Sequence, residues 1–170
     1  GLYASAGYFS DGRAAVAYYD RTTGDLILAV RAADGSAWER FPIDVDPATD
    51  RGQWASLVIA PDQTAHIAYQ DAGDDRLYYT TWNAGTVGAI ELVDDGERAG
   101  ERPHPVGGSA TMGLQGGLPV IVYQDQALSD VAFARKNGAS WTRTDLLTGP
   151  VGYGFWMSSA WDGTNLWTSH

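Results

Sequence analysis

The chain has no cysteine among its 170 residues, which excludes disulfide staples, thiol nucleophiles and cysteine-based zinc sites. It carries one lysine beside ten arginines, and 21 acidic residues outweigh these 11 basic ones to give a formal charge of −10. Such a surface repels phosphate and argues against a nucleic-acid partner. No run of 18 apolar residues exists, so no membrane-spanning helix is expected, and no basic segment leading into an apolar core opens the chain as a secretion signal would. Phosphate loops, HExxH motifs and N-glycosylation triplets are missing as well. What remains is an acidic chain of one-domain length, 44% hydrophobic and 12% aromatic, too apolar for disorder.

What is present is a repeat. Val16-Ala17-Tyr18-Tyr19-Asp20, Ile67-Ala68-Tyr69-Gln70-Asp71 and Ile121-Val122-Tyr123-Gln124-Asp125 place their aspartates 51 and 54 residues apart. Six residues after each aspartate, Leu26, Leu77 or Val131 opens a β-rich run, and each run ends in a turn signal: Asp34-Gly35, Asn83-Ala84-Gly85 or Asn137-Gly138. A further strand led by Trp38 or Trp141 follows in two of the units. Both alternating faces of strands such as IAYQ are largely apolar or aromatic, the composition of a strand covered on both sides. Four short strands per 40 to 50 residues, with no helical period, predict an all-β chain: a β-propeller segment of about three and a half four-stranded blades within a larger ring. The expected divisions are 1–49, 50–103 and 104–148 for three blades, and 149–170 for the first two strands of a fourth.

The string from Trp38 through Gly52-Gln53-Trp54-Ala55-Ser56-Leu57 and Ala65-His66-Ile67-Ala68-Tyr69 to Tyr79 resembles the repeat of bacterial sialidase-like, or BNR-like, propeller proteins, which are exported or displayed on the cell surface. The resemblance implies the fold and an extracellular or envelope location in a bacterium. It does not imply a reaction, because the same repeat serves many tasks. The family's Asp box survives only as a degenerate echo at Ser159-Ala160-Trp161-Asp162-Gly163. A ring of six to eight blades needs roughly 300 to 400 residues. The incomplete fourth unit therefore predicts a partner: the remaining half of the propeller, from the same precursor or a second subunit.

Candidate site residues follow from loop placement. Fourteen of the 21 acidic residues fall in loops that a propeller gathers on one face. Asp20, Asp71 and Asp125 recur after Tyr-x and are expected to cap turns; with Asp44, Asp46 and Asp50 they define an acidic loop face suited to a basic protein or to cations. Alternate aspartates at Asp44, Asp46 and Asp50 faintly resemble a calcium loop, although the glycine and distal glutamate of an EF-hand are missing. No other cofactor is expected. His66, His104 and His170 make no ligand set. Tyr153, Phe155 and Trp156, in the densest aromatic stretch, are candidates for stacking on a sugar ring. The leading expectation is a non-catalytic binding or scaffold module of a larger protein; a carbohydrate-binding propeller and a fragment of a sialidase-type glycoside hydrolase are the alternatives.

Overall fold

A computed structural model of the chain describes residues 1–162 and 165–170; Gly163, the last residue of the Asp-box echo, lies outside them. The chain is all β. Strands β1 (Leu2–Tyr8), β2 (Ala14–Asp20), β3 (Asp25–Arg31) and β4 (Trp38–Asp44) form one antiparallel sheet in sequence order. Strands β5 (Arg51–Ile59), β6 (Ala65–Asp71), β7 (Arg76–Asn83), β8 (Thr86–Val87) and β9 (Glu91–Asp94) form the second, and β10 (Val106–Gln115), β11 (Leu118–Asp125), β12 (Asp130–Asn137) and β13 (Ser140–Leu147) the third. A hairpin of β14 (Ser158–Trp161) and β15 (Leu166–Ser169) begins a fourth. These sheets are blades of a β-propeller segment. Their innermost strands β1, β5, β10 and β14 neighbour one another around an open groove of about 1050 Å³, lined by small side chains such as Ala4, Ala55 and Ala110.

The repeat is exact in register. Tyr18 faces Ile27, Tyr69 faces Tyr78 and Tyr123 faces Ala132, and each repeated aspartate closes its turn against the first residue of the next strand, as in the Asp20–Asp25, Asp71–Arg76 and Asp125–Asp130 pairs. The second blade departs from four strands. Its outer strand is split into β8 and β9, both paired with β7, because the chain folds against Thr81 at Gly88, where any β-carbon would lie 2.2 Å from the Thr81 hydroxyl. The core lies between blades. Leu26, Leu28 and Ala17 pack on Leu57, Ile67 and Tyr69 at the first junction, and Leu77, Tyr79 and Ala68 on Ile121, Tyr123 and Val106 at the second.

One structural detail repeats at every blade entry. Gly52, Gly107 and Gly154 sit at positive φ, and a β-carbon there would press on Leu26, Leu77 or Val131 of the preceding blade. Two residues further on, Tyr3, Trp54, Ser109 and Trp156 also take positive φ, near 50°, and the pairing register slips at this point in β1, β5 and β10. A bulged, left-handed residue is costly for an aromatic side chain, on the order of 1 kcal/mol or more. The left-handed conformation recurs in four blades and the bulge in three of them, which shows that the blade geometry imposes it.

Candidate ligand-binding rim and the charged clasps behind it

The acidic loop residues are drawn into the junctions. At the first junction Arg51 lies at the centre: Nη1 is 2.8 Å from Asp44 Oδ2, Nη2 is 3.4 Å from Asp46 Oδ2 and Nε is 3.1 Å from Asp71 Oδ2. The Tyr69 hydroxyl donates to the same Asp44 oxygen, and burial with that carboxylate pushes the phenol far above its ordinary value. At the second junction Arg98 grips Asp94 with both terminal nitrogens, at 3.0 and 2.9 Å, and reaches Asp125 at 3.3 Å. The Tyr123 hydroxyl donates to Asp94 at 2.6 Å, and Arg143 approaches Asp94 at 3.3 Å. Burial disfavours charge on Asp94, yet the Arg98 and Tyr123 bonds hold its carboxyl below the usual range.

His104 joins this second clasp. Its Nδ1 is 2.8 Å from Asp125 and its Nε2 is 3.0 Å from Glu101, and the Asp125 bond holds the imidazole above its ordinary value. With a carboxylate at each nitrogen, the doubly protonated ring is the form that satisfies both.

These placements change the reading of the acidic face. Asp71 and Asp125 are wholly buried and Asp44 nearly so, and therefore belong to the interior rather than to an accessible surface. The repeated aspartates do cap turns: Asp71 accepts the Gly73 N–H at 2.8 Å, Asp125 that of Ala127 at 3.2 Å and Asp20 that of Thr22 at 3.0 Å. Asp44 and Asp46 meet only at the Arg51 guanidinium, and Asp50 points elsewhere. Asp44 faces Tyr69 and Arg51, Asp46 accepts the Ala48 N–H at 3.0 Å, and Asp50 accepts the Tyr19 hydroxyl at 2.7 Å. Among the described residues no group of three or more His, Asp or Glu side chains is arranged to hold a metal ion. A cation at Asp44 or Asp46 would also have to displace Arg51.

The accessible chemistry lies on the rim in front of the clasps. Tyr3 and Trp54, the bulged residues of the first two blades, have ring centroids 4.6 Å apart and tilted by 47°, with Tyr19 at 6.3 Å from Tyr3. The Asp50 bond pushes the Tyr19 phenol up to about 12. Among the described residues the second carboxylate oxygen of Asp50 takes no hydrogen bond. This pair, with Tyr3 38% exposed and Trp54 half-buried, thus stands beside an exposed carboxylate. The fourth blade repeats half of this arrangement: Trp156 is 80% exposed, packs 5.8 Å from Phe155 and is held by its N–H to the Ser109 hydroxyl at 3.0 Å. Tyr153 is turned away, its carbonyl accepting from Gln124 and its ring meeting His170 edge-on. Of the three sequence candidates, Phe155 and Trp156 are exposed, and Tyr153 serves the junction. Sequence reasoning missed Tyr3 and Trp54, since no residue type is shared by the four bulge positions.

No protein-family model and no curated protein matches the chain. Solved structures do. A protein of unknown function from Dyadobacter fermentans aligns with a TM-score of 0.60 at 19% identity, over 86% of this chain and 42% of its own. The NanB sialidase of Streptococcus pneumoniae, as a K499G mutant, aligns at 0.58 and 14% identity over 91% of this chain. A GH32 β-fructofuranosidase of Bombyx mori, solved with sucrose, aligns at 0.55 and 10% identity over 96%. The chain spans 42%, 25% and 41% of those three structures. At such identities the likeness defines the fold alone: a segment of a β-propeller, matching part of larger propeller proteins.

Proposed function

We propose that the chain is a ligand-binding segment of a larger β-propeller protein acting at the cell exterior, and that its ligand is a carbohydrate. The observation that carries this is the tilted pair of rings at Tyr3 and Trp54 beside Asp50. A pyranose has an apolar face formed by its C–H groups and an equatorial rim of hydroxyls. The rings offer a rigid apolar cradle to the first, and the carboxylate of Asp50 accepts from the second. Trp156 and Phe155 supply a second stacking position two blades further round, which suits an extended glycan rather than a single sugar.

Titration with a panel of immobilised glycans, followed by calorimetry on the best ligand, tests the proposal. Trp54→Ala should weaken binding at least tenfold, equivalent to about 1.4 kcal/mol, and Trp156→Ala should weaken binding of long glycans more than of short ones. Absence of binding across the panel, or binding indifferent to both substitutions, would overturn it. The exposed carboxylates support the acidic-loop reading as a second possibility. A basic peptide that binds through Asp46 and Asp50 would lose affinity steeply with salt, since exposed charges are screened within about 8 to 10 Å at 0.1 to 0.15 M, and would ignore Trp54→Ala.

A further inference from the structure

The face of the first blade that looks away from the second carries a constellation already used elsewhere in the molecule. In the third blade, Lys136, Trp141, Arg143, Tyr123 and Asp125 form the surface that receives β9. Lys136 pairs with Glu91, the Trp141 indole N–H donates to Glu91 at 3.0 Å, the Tyr123 hydroxyl donates to Asp94 at 2.6 Å and Arg143 lies 3.3 Å from Asp94. The register places Arg31, Trp38, Arg40, Tyr18 and Asp20 at the five matching positions of the first blade: Arg31 pairs with Trp38 as Lys136 pairs with Trp141, and Ala29 with Arg40 as Ala134 with Arg143. The arginine–aspartate pairing recurs, at 2.6 Å for Arg40 and Asp20 and 3.9 Å for Arg143 and Asp125, and the Arg40 guanidinium lies 5.7 Å from the Tyr18 ring. What differs is the cover. Trp38 is 49% exposed and Tyr18 only half-buried, whereas Tyr123 is fully buried.

We propose that this face docks the outer strand of another propeller blade, one that carries a Glu-x-x-Asp pair where β9 carries Glu91 and Asp94. The cations, the indole donor and the phenol donor stand at the spacing that grips those two carboxylates in the second junction, and a strand without them would leave Arg40 and Tyr18 buried with too few acceptors. A second copy of these 170 residues does not fit, because its own β9 is already covered by its third blade, its β4 carries Phe41 where β9 carries Glu91, and its β13 carries Thr144 and Leu147 where β9 carries Glu91 and Asp94. This assignment is independent of the ligand proposed for the rim.

The test adds the missing strand in its natural frame. Residues 50–106 are spliced directly ahead of Gly1, so that Val106 precedes Gly1 as it precedes Gly107, and a copy of β9 is delivered to the first blade. Tm is measured with the fluorine signal of 5-fluorotryptophan at position 38, assigned by Trp38→Phe. The added blade should raise Tm by about 5 °C or more and shift the Trp38 signal, and the same blade carrying E91Q and D94N should lose most of both effects. Equal stabilisation by the neutralised blade, or no shift of Trp38 with either, would overturn the proposal. So would an unspliced chain that is already dimeric and is made monomeric by Arg40→Glu, since a second copy would then be the occupant.

Discussion

The first two junctions and the third solve one packing problem with different chemistry. All three press an entry glycine on the second residue of the previous blade's third strand, and the second and third share a glutamine that donates to the incoming backbone, Gln70 to Val106 and Gln124 to Tyr153. Among the described residues, only the first two add charge. Register places Leu147 where Asp44 and Asp94 stand, and counting from the matched entry glycines and inner strands puts Tyr153 where Arg51 stands and His170 where Tyr69 stands. The contrast teaches that shape alone defines the blade angle. The ionic clasp is a second layer, placed where the junction is closed over on all sides and a mispaired neighbour would strand a buried charge.

The largest expected effect tests that layer directly. Arg51→Ala leaves Asp44 and Asp71 buried without their cation and should cost about 3–5 kcal/mol in urea unfolding, whereas Tyr153→Ala at the equivalent place in the third junction should cost clearly less. Equal costs would break the comparison. Tyr123→Phe removes a hydrogen bond to a buried carboxylate and should cost about 1.5–3 kcal/mol, measured the same way.

A smaller effect concerns pH and only the second junction. His104 is held above its ordinary value of 6.5, so its protonated form binds more tightly in the folded chain than in the unfolded one. Its contribution is complete below about pH 6.5 and fades as pH rises through the higher folded value. Thermal melts from pH 6 to pH 9 should therefore show a loss that His104→Gln abolishes. The smallest effect is at the third junction, where Leu147 is 39% exposed: Leu147→Asp should change stability by no more than about 0.5 kcal/mol.

Much of this architecture was legible in the sequence. The Tyr-x-Asp spacing located the second strand of each blade, and the apolar residue six positions later located the third, because strand pairing across a four-residue turn leaves no freedom in that offset. Other features were hidden. The basic partners come from unlike places, Arg51 at the head of β5 but Arg98 in the loop before β10, so no repeat spacing marks them. Asp71 and Asp125 read as surface residues because an aspartate in a turn usually is one; the neighbouring blade that covers them lies far away in sequence. The left-handed bulge is occupied by Tyr, Trp, Ser and Trp, without the glycine that normally announces such backbone, and so the rim at Tyr3 and Trp54 left no mark. The interruption between β8 and β9 was equally silent.

The inner strands hold one more pair of bonds: the Leu57 N–H donates to the Ser5 hydroxyl, and the Met112 N–H donates to the Ser56 hydroxyl, each at 3.0 Å. In both cases the earlier blade supplies the acceptor and the later one the donor. The array therefore has a direction, like tongue-and-groove boards that join only one way round. A blade leaving the ribosome already displays the hydroxyl that its successor needs, so the ring can be laid down in the order of synthesis, each amide anchored and protected from solvent exchange as it arrives.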